Sequence, residues 1–182
     1  MRIIITGTPG TGKTKIAKEL AKRTGYEFIS MKDFVNQHKL FSKQAGKAKE
    51  KEVDTKILAR SLIPYLKQFK NYIVEGHLAC EIKIPADFIF VLRASPDVLK
   101  KRMLKRKYKT QKIDENLEAE MLDYCVQRAE SVYRIAPLEL DTTKRTIKQC
   151  SLEMEKAIKQ KKKKLDVVNY TDDLKTYLRL RK

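Results

Sequence analysis

Short apolar runs and longer amphipathic stretches alternate along the chain, and this alternation predicts a parallel α/β fold. The apolar runs have the length of strands that are buried on both faces of a sheet. Predicted strands span residues 3–5, 26–31, 72–75, 87–92 and 137–140. Between them, apolar residues recur every three or four positions, as on one face of a helix. This order predicts a sheet of about five parallel strands flanked by helices.

Capping residues and a proline mark the limits of several predicted helices. Helices are predicted to begin near residues 15, 54, 95, 116 and 143. Asp54 is a good N-cap for the second of them. Pro64 is expected to kink or shorten that helix, because proline lacks a backbone N–H group. The helix that begins at Asn116 is predicted to continue to Tyr133.

A glycine-rich segment at residues 7–14 carries most of the predicted chemistry. Its sequence, Gly-Thr-Pro-Gly-Thr-Gly-Lys-Thr, matches the phosphate-binding P-loop pattern and lies between a predicted strand and a predicted helix. Lys13 is predicted to reach the β- and γ-phosphates, and the Thr14 hydroxyl to ligate Mg²⁺. The segment therefore predicts a nucleoside triphosphate site. Its predicted phosphate-binding residues are Gly10, Thr11, Gly12, Lys13 and Thr14.

An acid and a histidine follow the predicted strand 72–75. Glu75 stands at the carboxyl end of the strand, where a second acid completes a Mg²⁺ site through water, so we expect it to join Thr14. An ordinary surface acid at a strand end is the alternative. His77 is expected at the same mouth, either orienting a phosphate or a water molecule or serving a structural role.

A dense basic stretch follows the strand 87–92. Arg102 and Arg106 are four residues apart and so share one helical face. Guanidinium groups that close over a moving phosphoryl group stabilise its charge, which predicts a lid with both arginines as catalytic residues. Arg93 is a weaker candidate for the same mouth. The alternatives are a solvated basic face and an RNA contact.

Residues 32–53 are mostly polar and are predicted to form an excursion from the core with short helices of its own. A monophosphate acceptor needs a flap on this side of the glycine loop. Asp33 and Asn36 are candidates for binding its base or ribose.

Together these motifs resemble the adenylate kinase isoenzyme 6 family, small nucleoside monophosphate kinases of eukaryotes and archaea. The resemblance covers residues 1 to about 158. It rests on Ile5–Thr14, Val74–His77, Phe90–Arg93, the pattern Arg102-x-x-x-Arg106-x-Tyr108, and Asn116 with Glu120. The resemblance implies a P-loop fold with ATP and Mg²⁺ as donor and AMP as acceptor. It also implies a link to small-subunit ribosome maturation, with a ribosomal protein or rRNA as partner.

The resemblance also implies roles for particular residues. It places Lys15 with the glycine-loop residues at the ATP phosphates, and it makes Arg106 the lid arginine that contacts ATP. The implied monophosphate-binding segment is 32–53 and the implied lid is 105–115. Two positions depart from the family pattern: Glu75 replaces the usual Asp, and Asn36 stands where Arg is frequent. The second departure weakens the case for efficient AMP binding.

A formal net charge of +18 on 182 residues raises the expectation of a polyanionic partner such as RNA. A lysine-rich surface without such a partner is the alternative. Thirteen basic and five acidic residues follow residue 143. We therefore predict a kinase domain over residues 1–160 and a basic tail over 161–182, with a short helix at 171–181.

Three widely spaced cysteines and the lack of any apolar run near the ~20 residues of a membrane span predict a cytoplasmic protein. Two functional hypotheses follow. The first is an ATP:AMP phosphotransferase with some ATPase activity. The second is an ATP-dependent assembly switch that binds a ribosomal protein or RNA. A kinase for another small acceptor also remains open, since fold does not determine substrate.

Overall fold

Five parallel strands form the central sheet of the structure, a computed structural model that describes residues 1–43 and 51–179. In chain order the strands are β1 (Arg2–Thr6), β2 (Glu27–Ser30), β3 (Ser42–Lys43), β4 (Lys51–Glu52), β5 (Tyr72–Glu75), β6 (Phe88–Arg93) and β7 (Leu138–Asp141). The sheet order is β2-β5-β1-β6-β7 with every neighbouring pair parallel, while β3 and β4 form a separate antiparallel pair. The predicted fold class is confirmed.

Eight α-helices and one short 3₁₀ helix connect the strands within the described residues. They are α1 (Lys13–Thr24), α2 (Met31–Gln37), α3 (Thr55–Leu66), the 3₁₀ helix (His77–Cys80), α4 (Pro96–Lys105), α5 (Thr110–Met121), α6 (Tyr124–Tyr133), α7 (Ile147–Lys159) and α8 (Thr171–Arg179). Helices α1 and α7 cover one face of the sheet, and α3 and α6 cover the other. In this part of the chain, no helix has the length and apolar character needed to cross a membrane.

The central strand β1 shows how the apolar runs produce these layers. Successive side chains of a strand point to opposite faces, so Ile4 packs on the α3 side while Ile3 and Ile5 pack on the α1 side. All three isoleucines are fully buried. Burying one such side chain stabilises the fold by about 1.5–3 kcal/mol. The continuous apolar run therefore holds helices against both faces of the sheet.

The predicted unbroken helix from Asn116 to Tyr133 is wrong. The chain forms α5 and α6 instead, with a break at Asp123, whose φ is 54°. The Asp123 carboxylate accepts a hydrogen bond from Arg93, so an ion pair with β6 holds the residue in the left-handed conformation. Asp tolerates this conformation better than most residues do. Helical periodicity carries no sign of such a distant partner.

The predicted features of α3 agree with the structure. Asp54 caps the helix, accepting hydrogen bonds from the backbone N–H groups of Lys56 and Ile57 at 2.7 and 3.2 Å. Pro64 lies within the helix, which ends two residues later at Leu66. The start predicted near Thr143 for the last core helix is too early, because Thr146 forms a capping box at the N-terminus of α7.

Residues 165–179 pack against the domain and are not a detached tail. Asp166 forms an ion pair with Arg145. Tyr170 is buried in an apolar cluster with α4 and α5, and Leu174 and Tyr177 of α8 pack on the same cluster. Lys161–Lys164 are exposed. The end of the predicted helix, residues 180–181, lies outside the described residues.

Candidate active site

The glycine loop, residues 7–12, connects β1 to α1 and needs glycine at two positions for steric reasons. At Gly7, φ is 134° and a Cβ atom would stand 2.3 Å from the carbonyl oxygen of Leu92 on β6. At Gly10, φ is 99° and a Cβ atom would stand 2.7 Å from Cδ1 of Leu99. Larger residues would push the loop off the sheet edge. The loop thus holds the N-terminus of α1 where its N–H groups and dipole attract an anion.

Lys13, the first residue of α1, is buried and folds back on the glycine loop. Its Nζ donates hydrogen bonds to the carbonyl oxygens of Gly7 at 2.8 Å and Thr8 at 3.0 Å. Burial lowers the pKa of Lys13, and the carboxylate of Glu75 counteracts part of this effect. Phosphate oxygens would compensate the ammonium charge better than two neutral carbonyls do. Lys13 is therefore placed to bind an incoming phosphate group.

Thr14 and Glu75 meet at the ends of α1 and β5. The Thr14 hydroxyl donates a hydrogen bond to Oε1 of Glu75 at 3.1 Å, and the Glu75 side chain is buried. The pair supplies one hydroxyl and one carboxylate, which are the hard oxygen ligands that Mg²⁺ prefers. Magnesium usually takes few protein ligands and fills its remaining positions with phosphate and water. The donor set therefore fits the predicted metal.

His77 begins the 3₁₀ helix after Gly76 and lies at the mouth of the cleft. The residue keeps part of its surface in solvent, but desolvation of the ring, with the positive charges of Lys13 and Lys112, lowers the pKa of His77 to about 4. The imidazole is therefore neutral at pH 7. A neutral imidazole can accept a hydrogen bond from water or donate one to a phosphate oxygen.

These elements border one open cleft of about 730 Å³. Most of the predicted site residues line it together. They are Gly10, Gly12, Lys13, Thr14, Lys15, Glu75, His77 and Arg106. Lys112 of the predicted lid and Asn116 of α5 line the cleft as well. Tyr124 and Cys125 of α6 also line it, and sequence reasoning missed these two as site residues. The sequence predicts a single helix for residues 116–133, so α6 is not recognised there as a separate element. Tyr124 and Cys125 are its first two residues and directly follow the unpredicted break at Asp123.

Thr11 and Arg102 do not line the cleft. Thr11 is a fully buried residue of the loop, and its hydroxyl donates to the Thr8 carbonyl at 2.9 Å. Arg102 donates to the Thr142 carbonyl at 2.8 Å and approaches the Gly10 carbonyl at 3.5 Å. Arg102 therefore contacts the glycine loop on the side away from the cleft. Arg106, at the end of α4, lines the cleft.

The position of Arg93 differs from the predicted one. Its side chain is 1% exposed and points away from the cleft. The guanidinium group forms ion pairs with Glu120, Asp123 and Glu139. Arg93 is thus the centre of a buried charge cluster. An arginine directly after an apolar strand is a weak signal for such a cluster, since its three partners come from other elements.

The other wall of the cleft is formed by the predicted monophosphate segment and α6. Asn36 of α2 lines the cleft, whereas Asp33 does not. Glu81, beside the 3₁₀ helix, accepts hydrogen bonds from Tyr124 and Arg128 of α6. Residues 44–50 of the predicted segment lie outside the described residues. The predicted lid, 105–115, comprises the end of α4, a turn and the first half of α5.

Comparison with known proteins agrees with this architecture. Residues 3–123 match the family model for an AAA domain. Several solved kinases share the fold at low sequence identity. A shikimate kinase from Acinetobacter baumannii is 12% identical with a TM-score of 0.60, covering 88% of this chain and 94% of its own. A gluconokinase from Sinorhizobium meliloti is 16% identical with a TM-score of 0.59, covering 87% and 91%. Fold and glycine loop together place the chain in the class of P-loop proteins, with the fold of these small kinases.

Sequence relatives narrow this class to a family. A protein of Methanocaldococcus jannaschii named "Putative adenylate kinase" is 36% identical over 99% of this chain and 98% of its own length. A Pyrococcus abyssi protein of the same name is 37% identical over the same shares. The chain therefore belongs to the adenylate kinase-like family of these archaeal proteins.

Proposed function

We propose that the protein is a nucleoside monophosphate kinase that transfers the γ-phosphoryl group of ATP to AMP. The observation that carries the proposal is a single cleft that joins the phosphate-binding loop to a second wall made of α2, the 3₁₀ helix and α6. An ATPase needs only the glycine loop and a water molecule, whereas a phosphotransferase needs an acceptor wall as well. The names of the archaeal relatives support AMP as the acceptor.

Residues of the chain itself account for each task in the transfer. Lys13 exchanges its two loop carbonyls for phosphate oxygens, and the N–H groups at the start of α1 bind the same phosphates. Thr14 and Glu75 would hold Mg²⁺, which neutralises charge on the β- and γ-phosphates when bound. Arg106 stabilises the charge that spreads over the moving group. His77 accepts a hydrogen bond from water or donates one to phosphate.

The transfer itself needs no covalent enzyme intermediate. A phosphate oxygen of AMP attacks the γ-phosphorus of ATP, while the bond from that phosphorus to the bridging oxygen breaks and leaves ADP on both sides. Positioning of the two nucleotides and neutralisation of charge supply most of the acceleration.

An acceptor panel tests the proposal. ATP and Mg²⁺ would be supplied with AMP, GMP, CMP, UMP, shikimate or gluconate in turn, and the phosphorylated product identified by mass. We expect the highest kcat/KM with AMP. Preferred phosphorylation of shikimate or gluconate would retain the fold but overturn the proposed acceptor.

Replacing Glu75 by glutamine tests the metal site. The change keeps the size of the side chain but removes the negative charge beside Thr14. We expect the Mg²⁺ concentration needed for half-maximal activity to rise by about tenfold, with a smaller change in ATP affinity. Glu27→Gln on β2 is a matched control, because Glu27 is exposed at the opposite end of the sheet. An unchanged Mg²⁺ titration of Glu75→Gln would exclude Glu75 from the metal site.

A second candidate function is an ATP-dependent assembly switch, which the resemblance to the isoenzyme 6 family implies. We propose an rRNA or ribosomal-protein partner in a cytoplasmic setting. The observations that favour it are the exposed Lys161–Lys164 run and the net charge of +18, which phosphoryl transfer does not require. A neutral His77 near the glycine loop would also suit ATP hydrolysis by an oriented water molecule.

Charge replacement tests this partner better than truncation, because Val168, Tyr170, Leu174 and Tyr177 pack against α4 and α5. Changing Lys161–Lys164 together to glutamine is expected to weaken RNA binding and to reduce the slope of log affinity against log salt by about 3. The control variant changes four exposed lysines dispersed elsewhere, namely Lys56, Lys67, Lys70 and Lys83. Equal losses in the two variants would indicate only nonspecific charge, and unchanged RNA binding in the first would refute the role.

A further inference from the structure

A polar cluster with a buried centre extends from the glycine loop away from the cleft. We call it the Glu120 cluster, and its members are Thr8, Arg93, Glu120, Asp123 and Glu139. Arg93 is 1% exposed and Glu120 is 2% exposed. The cluster joins the loop to β6, α5, the α5–α6 break and β7. None of these contacts is needed to bind a phosphate directly.

Glu120 uses both carboxylate oxygens within the cluster. Oε2 accepts a short hydrogen bond from the Thr8 hydroxyl. Oε1 accepts from Nε of Arg93 at 2.9 Å and from the backbone N–H of Ala94 at 3.0 Å. Glu120 therefore cannot shift without breaking contacts to the loop, to the end of β6, or to both.

Thr8 connects Glu120 to the phosphate-binding lysine. Its carbonyl oxygen accepts hydrogen bonds from Nζ of Lys13 at 3.0 Å and from the Thr11 hydroxyl at 2.9 Å. The side chain of Thr8 is thus anchored by Glu120 while its backbone sets the place of the Lys13 ammonium group. One residue, Thr8, therefore separates Glu120 from the ammonium group that would bind phosphate.

Helix α5 connects the predicted lid to the Glu120 cluster. Lys112 and Asn116 of this helix line the cleft, and Glu120 lies one turn further along it. The opposite side of α5 packs through Ile113 and Leu117 on the cluster that contains Tyr170 and Leu174. The helix that borders the nucleotide is therefore hydrogen-bonded to the loop that cradles its phosphates.

The cost of burying these charges argues against a purely stabilising role. Buried ion pairs commonly add little stability compared with well-packed apolar residues, because both ions lose their hydration. Only Arg93 and Glu120 are fully buried, at 1% and 2% side-chain exposure, whereas Asp123 and Glu139 are 39% and 19% exposed. A requirement for a fixed position explains such an arrangement better than stability does.

We propose that Glu120 is a positioning residue that acts through Thr8 to hold the glycine loop and Lys13 in place and to couple the lid helix α5 to the phosphate site. The inference rests on the proposed phosphoryl transfer at this cleft. Glu120 does not touch the reacting atoms. Its effect should therefore appear in catalysis and ATP binding more than in acceptor binding.

The test removes the connecting hydroxyl. Thr8→Val keeps the shape of the side chain but cannot donate to Glu120, and we expect kcat with ATP and AMP to fall by about tenfold, the value of one charge-assisted hydrogen bond. KM for AMP should stay near the wild-type value. Thr8→Ser restores the hydroxyl and should recover most of the activity.

Asp123→Asn is the matched control. It weakens the same cluster at Arg93, has no contact with Thr8, and keeps a residue type that tolerates the φ of 54°. We expect it to lower the melting temperature while leaving kcat near the wild-type value. If the losses of activity in Thr8→Val and Asp123→Asn are both proportional to the losses in melting temperature, the cluster has only a structural role. That result would overturn the proposal.

Two further outcomes would also overturn it: wild-type kcat in Thr8→Val, or no recovery in Thr8→Ser. Failure of the proposed function is distinguishable, since the wild type would then fail to phosphorylate AMP. The positioning role is in that case decided by binding of a fluorescent ATP analogue with Mg²⁺. Weaker binding by Thr8→Val, restored in Thr8→Ser, supports it, and equal binding by all three proteins refutes it.

Discussion

Lys13→Ala is expected to lower kcat/KM for ATP by about a thousandfold or more. Lys13 is the only charged residue among residues 7–14, and its ammonium group already lies at the carbonyl oxygens of Gly7 and Thr8. Without it, the glycine loop would have only the N–H groups and dipole of the α1 N-terminus with which to bind the phosphates. Steady-state kinetics and binding of a fluorescent ATP analogue measure the loss.

Lys18→Ala is the matched control for this prediction. Lys18 lies on the same helix and is exposed, with Nζ 5.5 Å from the centre of the Phe28 ring, and it does not border the cleft. Its replacement should leave ATP binding unchanged. Near-normal turnover in Lys13→Ala would contradict the assignment of the glycine loop as the phosphate site.

Arg106→Ala is expected to lower kcat by about a hundredfold, with a smaller effect on ATP affinity. Arg106 stands at the exposed end of α4 and lines the cleft, where a guanidinium group can close over charge that develops in the transition state. A residue that acts in the transition state affects kcat more than ground-state binding. Rate and affinity would be measured on the same preparation.

Lys105→Ala controls for the loss of one positive charge in the same region. Lys105 precedes Arg106 in the chain and is exposed, but it does not line the cleft. It should retain nearly full activity. Equal losses of kcat and ATP affinity in Arg106→Ala would mean that the arginine binds ground-state ATP. No loss of either would indicate that the basic stretch is a solvated surface and not a lid.

Much of the fold and part of the site follow from local patterns in the sequence. The apolar strands, the Asp54 cap and the glycine loop depend on neighbouring residues, so their structure can be predicted from short segments. The meeting of Thr14 with Glu75 also follows, because parallel strands place their carboxyl ends at one edge of the sheet.

The remaining features depend on partners that are distant in the chain. The helix break at Asp123 depends on an ion pair with Arg93, 30 positions away, and the burial of Arg93 depends on that pair and on Glu120 and Glu139. Arg102 turns toward Thr142, 40 positions away, and so leaves the predicted lid. The packing of Val168, Tyr170, Leu174 and Tyr177 on α4 and α5 likewise depends on an apolar cluster formed by other elements. Periodicity and motif spacing contain no information about such pairs.

The stoichiometry of phosphate release with saturating ATP, AMP and Mg²⁺ tests the central claim most directly. If the cleft transfers the γ-phosphoryl group between nucleotides, ATP and AMP disappear in equal amounts and ADP forms from both. Inorganic phosphate then does not accumulate as ATP is consumed. The same measurement on Lys13→Ala should show neither reaction. Release of inorganic phosphate equal to the ATP consumed, with AMP left intact, would contradict the kinase and identify an ATPase.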